Sequence, residues 1–258
     1  MKIKGVIFDF GFTLFEFKDV SLDKYFECYR QGLVKSIDRL KNLEVLAQDE
    51  TIVKEFIELF KKKREYCFRE SIKSKNEFPT MYIFKSVLDS MVEKKIINSI
   101  EGVNDNILKE IATLYHSIEE NEWIPFKETK DTLKKISELK DVKIAVLSNH
   151  PHHQTIKNIL RKHNLLEFFD TIITSAKFGK RKPNPDIFNF TLKKLGLENQ
   201  ANSCVICGDE YADVVGGYKA GLKPILFKRK YKFPYEKEIT MSNLIEINNI
   251  SELLNYIT

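Results

Sequence analysis

The stretch Val6-Ile-Phe-Asp-Phe-Gly-Phe-Thr-Leu14 decides how this 258-residue chain is read. Ile3 to Phe8 is a short, mostly apolar run of the kind that forms a strand buried on both faces, and it ends on a carboxylate, Asp9. In a doubly wound parallel sheet, ligands bind just beyond the carboxyl ends of the strands, so the residue after each strand is the one to inspect. The same punctuation returns three times. Ser148 closes a strand in IAVLSNH (144–150), Lys182 stands in GKRKPNPDIF (179–188), and Asp209 and Asp213 end VICGDEYAD (205–213). Taken singly, each has an ordinary explanation as a helix cap, a turn residue or a solvated lysine.

Working outward, the texture changes twice. From about Asp19 to Glu122 the chain is charged and helical: Leu22, Tyr25, Phe26, Tyr29, Leu33, Ile37 and Leu40 recur at three- and four-residue steps, as do Val53, Phe56, Ile57 and Phe60. Further helices are expected over Tyr82 to Lys94 and Ile107 to Ile118. After Trp123-Ile124-Pro125, helix and strand alternate. Helices are expected over Thr129–Leu139, Gln154–His163 and Asp186–Leu195 and after Asp213, with strands at Lys143–Leu147, Thr171–Thr174, Cys204–Cys207 and Pro224–Phe227. This order predicts an α/β fold, a doubly wound parallel sheet covered on both faces. The opening strand has no helix of its own before the helical stretch intervenes. Residues 1–17 and 123–258 are therefore expected to form one discontinuous core, with 18–122 inserted as an all-helical lobe. The lobe holds 18 basic and 20 acidic side chains and the core 24 and 17, so the excess positive charge lies with the core, where an anionic substrate would benefit.

Composition excludes several classes. At 43% hydrophobic the chain has ample material for a core, which argues against disorder, and no apolar run approaches the roughly 18–20 residues of a spanning helix. The start, MKIKGVIFDF, passes straight into a strand-like run, so no targeting segment and a cytoplasmic location are expected. Four cysteines are too few for a disulfide framework, and Cys204-Val-Ile-Cys207 lacks the second pair a zinc site needs, so both read as buried strand residues. The run Lys228-Arg229-Lys230 with Tyr231, Lys232 and Phe233 is one basic and aromatic cluster on a near-neutral protein. It reads as a solvated loop rather than a nucleic-acid patch, with a border of the substrate entrance as the alternative.

The four motifs in this order resemble the haloacid dehalogenase-like (HAD) superfamily, with the helical insertion where subfamily I carries a C1-type cap. The most specific matches are hhhDxxxT at Asp9 to Thr13, GKRKPNPDIF, and GDEYAD followed by a helix rich in small residues. The resemblance implies a Mg²⁺-dependent hydrolase, most simply a phosphatase acting on a small phosphorylated metabolite, with no nucleic-acid or membrane partner. Asp9 would be the nucleophile that forms an aspartyl-phosphate. By resemblance the metal ligands are Asp9, the carbonyl of Gly11, Asp209 and Asp213, while Thr13, Ser148, Asn149 and Lys182 face the substrate. Pro183 is expected to hold Lys182 extended, with Asn184 and Pro185 opening the next helix.

One position departs from the pattern. Phosphatases of this superfamily usually carry a second aspartate two residues after the nucleophile, as general acid and base, and here that position is Gly11. The departure leaves acyl phosphate, phosphonate or haloacid hydrolysis, or a catalytically weak binding protein, as alternatives. The intact GDEYAD segment argues for a retained metal, and so against a haloacid dehalogenase. His150, two residues after Ser148, is the candidate replacement acid, against the reading of an exposed loop histidine. A zinc site from His150, His152 and His153 is the weaker alternative.

Overall fold

The computed structural model describes residues 2–19, 21–230 and 237–257. The chain divides into two compact units, one of residues 1–18 with 123–258 and the other of residues 19–122.

The first unit is built on a six-stranded parallel sheet. Its strands are β1 (Gly5–Phe8), β4 (Lys143–Ser148), β5 (Thr171–Thr174), β6 (Cys204–Gly208), β7 (Lys223–Phe227) and β8 (Ile245–Ile247), in the order β5-β4-β1-β6-β7-β8. A separate antiparallel pair, β2 (Phe15–Phe17) with β3 (Trp123–Pro125), sets Phe17 opposite Trp123. The chain leaves β1 for β4 and β5 on one side and returns to β6 on the other. The switch point therefore lies between β4, β1 and β6, where the helical connections diverge and leave a crevice at the carboxyl ends.

These strands are apolar on both faces because helices cover both. Ile7, Ala145, Leu147, Ile173 and Ile206 pack with Ile187, Phe188 and Leu192 of helix Pro185–Leu195, while Val6, Phe8, Ile144, Val146 and Cys207 are equally buried. Cys204 and Cys207 are buried and unbridged in β6. Three residues apart on a strand, they point to opposite faces and share no ligand position. Element boundaries differ from expectation by a residue or two. The one difference that matters is helix Tyr211–Lys219, which was expected to begin after Asp213 and instead contains it in its first turn.

The second unit is helical: Leu22–Asn42, Glu50–Ser74, Thr80–Glu93 and Asp105–His116. Three starts are capped by short polar side chains. Ser21 accepts from the Lys24 amide, Asp49 from Thr51 and Ile52, and Asn104 from Asn106 and Ile107. The helices enclose a core in which Phe56, Phe60, Phe84 and Tyr115 meet. Beside that core lies a buried polar chain. The Tyr29 hydroxyl donates to Glu119 at 2.9 Å, Glu119 pairs with His116 Nδ1, and His116 Nε2 lies 2.7 Å from Thr80 Oγ1. None of the helices described is long and apolar enough to cross a membrane.

Candidate active site

Asp9 follows β1 directly, and its amide donates to the Cys207 carbonyl at 2.9 Å, which ties the first residue past one strand to its neighbour. Asp209 follows β6. Asp213 is turned back toward it by a capping box: the Glu210 side chain accepts from the helix backbone, and Asp213 Oδ2 accepts from the Glu210 amide at 3.3 Å. That return is possible because residue 208 is glycine. A Cβ there would lie 2.3 Å from Asp213 Cβ and Cγ. One oxygen from each of Asp9, Asp209 and Asp213 falls within a 4.8 Å group.

Lys182 is the hub. Its Nζ donates to Asp9 Oδ1 at 2.5 Å, to Asp213 Oδ1 at 2.6 Å and to the Leu147 carbonyl at 2.6 Å. Burial alone would depress this amine, but the carboxylates of Asp213 and Asp9 outweigh it, and the pKa is raised. Its backbone is clamped by Asn149, whose Oδ1 accepts from the Lys182 amide at 2.8 Å while Nδ2 donates to the Lys182 carbonyl at 3.0 Å. The Asn149 side chain, expected against substrate, is committed to the lysine. Thr13 departs from expectation in the same way: it is fully buried and donates to Asp209 Oδ1 at 3.1 Å. The Lys182–Pro183 peptide is cis, and Asn184 caps the next helix with Pro185 in its first turn.

The acids are graded in access. The Asp9 side chain is 12% exposed against 2% for Asp209 and 3% for Asp213, so Asp9 is the carboxylate a ligand can reach. Burial, then repulsion from Asp9 and the other acids nearby, pushes Asp209 well above the usual carboxylate range and Asp213 up to about 7. Three clustered carboxylates, of which Asp209 and Asp213 are pushed above their ordinary range, offer only hard oxygen donors and fit a hard divalent cation.

Ser148 ends β4 beside this group, in register with Thr174, and is 6% exposed. The histidines are occupied elsewhere. His150 Nδ1 lies 2.9 Å from the His152 carbonyl and 3.1 Å from its amide, His152 Nδ1 is 3.0 Å from Thr155 Oγ1, and His153 Nδ1 is 3.1 Å from Thr174 Oγ1. The Nδ1 atoms of the three rings thus face three different partners and do not converge on one point.

Gly11 lies in the turn after Asp9, and what fills the space beside it is Trp123. A Cβ at residue 11 would stand 3.1 Å from Trp123 Cη2. The indole also meets Phe10, Phe12 and Phe17 edge-on, at centroid distances of 5.5, 5.5 and 5.0 Å. Phe12 adopts φ 58°, a left-handed backbone costly for a bulky residue.

Arg229 does not behave as the solvated loop residue expected of its basic run. Two residues past β7, its side chain is only 6% exposed, and Nη1 donates to Asp209 Oδ2 at 2.6 Å. Lys228, 51% exposed, does fit the solvated loop that was expected. Tyr231, Lys232 and Phe233 lie outside the described residues. The place of Arg229 two residues past β7, at the same end of the sheet as Asp9 and Asp209, marks the segment but not which of its three basic residues turns inward.

Carboxylates and a buried lysine gathered at the switch point of a doubly wound sheet define an α/β protein with an acidic cluster that could hold a cation. The profile of the haloacid dehalogenase-like hydrolase family matches residues 6–227, and the chain belongs to that family. Among its relatives, a phosphoglycolate phosphatase of Aquifex aeolicus is 37% identical over 102 residues, 40% of this chain and 46% of that protein. Haloacid dehalogenase-like hydrolase domain-containing protein 3 of Danio rerio is 35% identical over 134 residues, 50% of this chain and 53% of that one. The match thus spans about half the length of these two relatives. Among solved structures, a 2-haloacid dehalogenase of Pseudomonas syringae superposes with a TM-score of 0.62 over 98% of this chain and 97% of that one, at 20% identity, a likeness of fold.

Proposed function

We propose that the protein is a Mg²⁺-dependent phosphohydrolase acting through Asp9 on a small phosphorylated metabolite, with residues 19–122 as its cap. The observation that carries this reading is Lys182, which ties the most accessible carboxylate of the cluster, Asp9, to the buried Asp213. The phosphatase name of the Aquifex relative agrees with it.

With Lys182 on Asp9 Oδ1, Oδ2 is the oxygen that would attack phosphorus. The bond from phosphorus to the leaving oxygen breaks, and that oxygen departs with the electron pair. Water then attacks the phosphorus of the aspartyl-phosphate, releasing inorganic phosphate and restoring Asp9. Ser148 and the Asn149 amide would hold the transferring phosphoryl oxygens, while Lys182 balances their charge. Mg²⁺, held by Asp9, the Gly11 carbonyl, Asp209 and Asp213, would neutralise phosphoryl charge and let the carboxylates stand together.

Gly11 and Trp123 narrow the substrate class. Gly11 offers no acid at the second position after Asp9, and the indole lies where such a side chain would start. The leaving oxygen must therefore depart as a stable anion, as the carboxylate of an acyl phosphate does, or take its proton from solvent. The test is a panel of acyl phosphates, phosphomonoesters, phosphonates and 2-haloacids, each with and without Mg²⁺. Mg²⁺-dependent release of phosphate, fastest for acyl phosphates and abolished in Asp9→Asn, is expected. Turnover that ignores Mg²⁺, or survives in Asp9→Asn, would sink the reading.

A further inference from the structure

Of the three basic residues after β7, Arg229 alone is directed into the carboxylate cluster. Its Nη1 donates to Asp209 Oδ2 at 2.6 Å and reaches Glu210 Oε1 at 3.4 Å. The guanidinium carbon lies 5.9 Å from the centroid of the Phe12 ring, whose residue accepts a left-handed backbone at φ 58°. Thr13 holds the other oxygen of Asp209. Both oxygens of that carboxylate are thus engaged by donors of this chain, and any cation that Asp9, Asp209 and Asp213 bind together must share Asp209 with a buried guanidinium or displace it.

We infer that Arg229 competes with the divalent cation for Asp209, and so sets how tightly this protein holds its metal. Repulsion argues for competition rather than assistance: a dication on Asp209 shares that carboxylate with a guanidinium held 2.6 Å from its Oδ2, like charges across one short bridge. Lys182 cannot be the residue that gives way, because it is fixed by two carboxylates, a backbone carbonyl and the Asn149 clamp. Arg229 stands in the loop after β7 and lines a pocket into which it can turn. That pocket, about 220 Å³, is lined by Phe12, Phe126, Phe227, Lys230 and Asn249 as well as Arg229 itself.

The inference rests on the metal-dependent reading proposed above, and the experiment separates the two. Mg²⁺ binding is measured without substrate, by calorimetry and by the shift in melting temperature, on wild type, Arg229→Met and Phe12→Leu. Arg229→Met should bind Mg²⁺ tighter by about tenfold or more, as expected when one unit charge is removed beside a dication. Phe12→Leu keeps the charge but removes the ring beneath it, and should tighten binding by a smaller factor. Without metal, Arg229→Met should melt lower than wild type, because Asp209 loses its counter-ion, and Mg²⁺ should raise its melting temperature by more than it raises that of wild type. Equal or weaker binding by both variants overturns the competition while leaving the metal site standing. If neither wild type nor the folded variants bind Mg²⁺, the metal-dependent reading itself falls, and the competition with it.

Discussion

Lys182 is where one side chain bears the heaviest electrostatic demand, since its ammonium is the counter-charge of two buried carboxylates. Removing one partner of a buried ion pair leaves the other charge uncompensated, so Lys182→Met is expected to lose roughly 3–5 kcal/mol of stability in urea unfolding. In the same variant phosphate release should fall at least about a hundredfold, on the scale of losing an electrostatic stabiliser. At Gly11 the direction of an acid-restoring change depends on Trp123. With a new Cβ only 3.1 Å from the indole, Gly11→Asp alone should gain little activity, because the carboxylate can be seated only by moving the ring. Gly11→Asp with Trp123→Leu should release phosphate from ordinary monoesters faster than either single variant. His153 gives a pH signature. Burial, helped by Lys177 and Lys157, pushes its pKa down to about 4, below the unfolded value near 6.5. Between those values the unfolded chain binds the proton and the folded one does not, so stability falls as pH drops from about 6.5 toward 4. His153→Gln should flatten that part of the melting-temperature profile. Asp9 and Asp209 were legible because each directly follows a strand, and Lys182 and Asp213 because of the motifs they stand in. Arg229 was not, because its neighbours are ordinary surface lysines and nothing in the sequence says which of three adjacent cations turns inward. Nor could spacing reveal that Thr13 and Asn149 spend their side chains on Asp209 and on the Lys182 backbone.

At the scale of elements, the site depends on how closely helix Tyr211–Lys219 lies on β6. Gly217 is the contact that permits it, since a Cβ there would stand 2.3 Å from Ile206 Cγ2. Gly217→Ala therefore overpacks a well-filled interface and should cost roughly 1–3 kcal/mol in urea unfolding. Because Asp213 rides on the same helix, the variant should also weaken Mg²⁺ binding, a readout that a surface substitution would not move. The apolar runs and the alternation of helix and strand made the parallel sheet readable in advance. The three-residue strands β2 and β3 could not be read, because three residues are too few to show a period and each partner lies far along the chain from the other.

At the scale of the molecule, β2 and β3 explain how a helical unit can interrupt an α/β fold. Phe17 and Trp123 are paired across an antiparallel ladder, so the insertion begins and ends at neighbouring points. A chain in which residues 18–122 are replaced by Asn-Gly, a turn suited to such a pair, should fold with a single cooperative transition. It should also keep Mg²⁺ affinity, since Asp9, Asp209, Asp213 and Arg229 all belong to the remaining unit. Trp123 has a further use. It is the only tryptophan in the chain, it is 7% exposed, and its ring rests against Gly11, two residues from the candidate nucleophile. The protein thus carries its own fluorophore at the point of interest, and its emission, excited at the red edge of the absorption band where the ten tyrosines do not absorb, can report metal or phosphate-analogue binding in unlabelled protein.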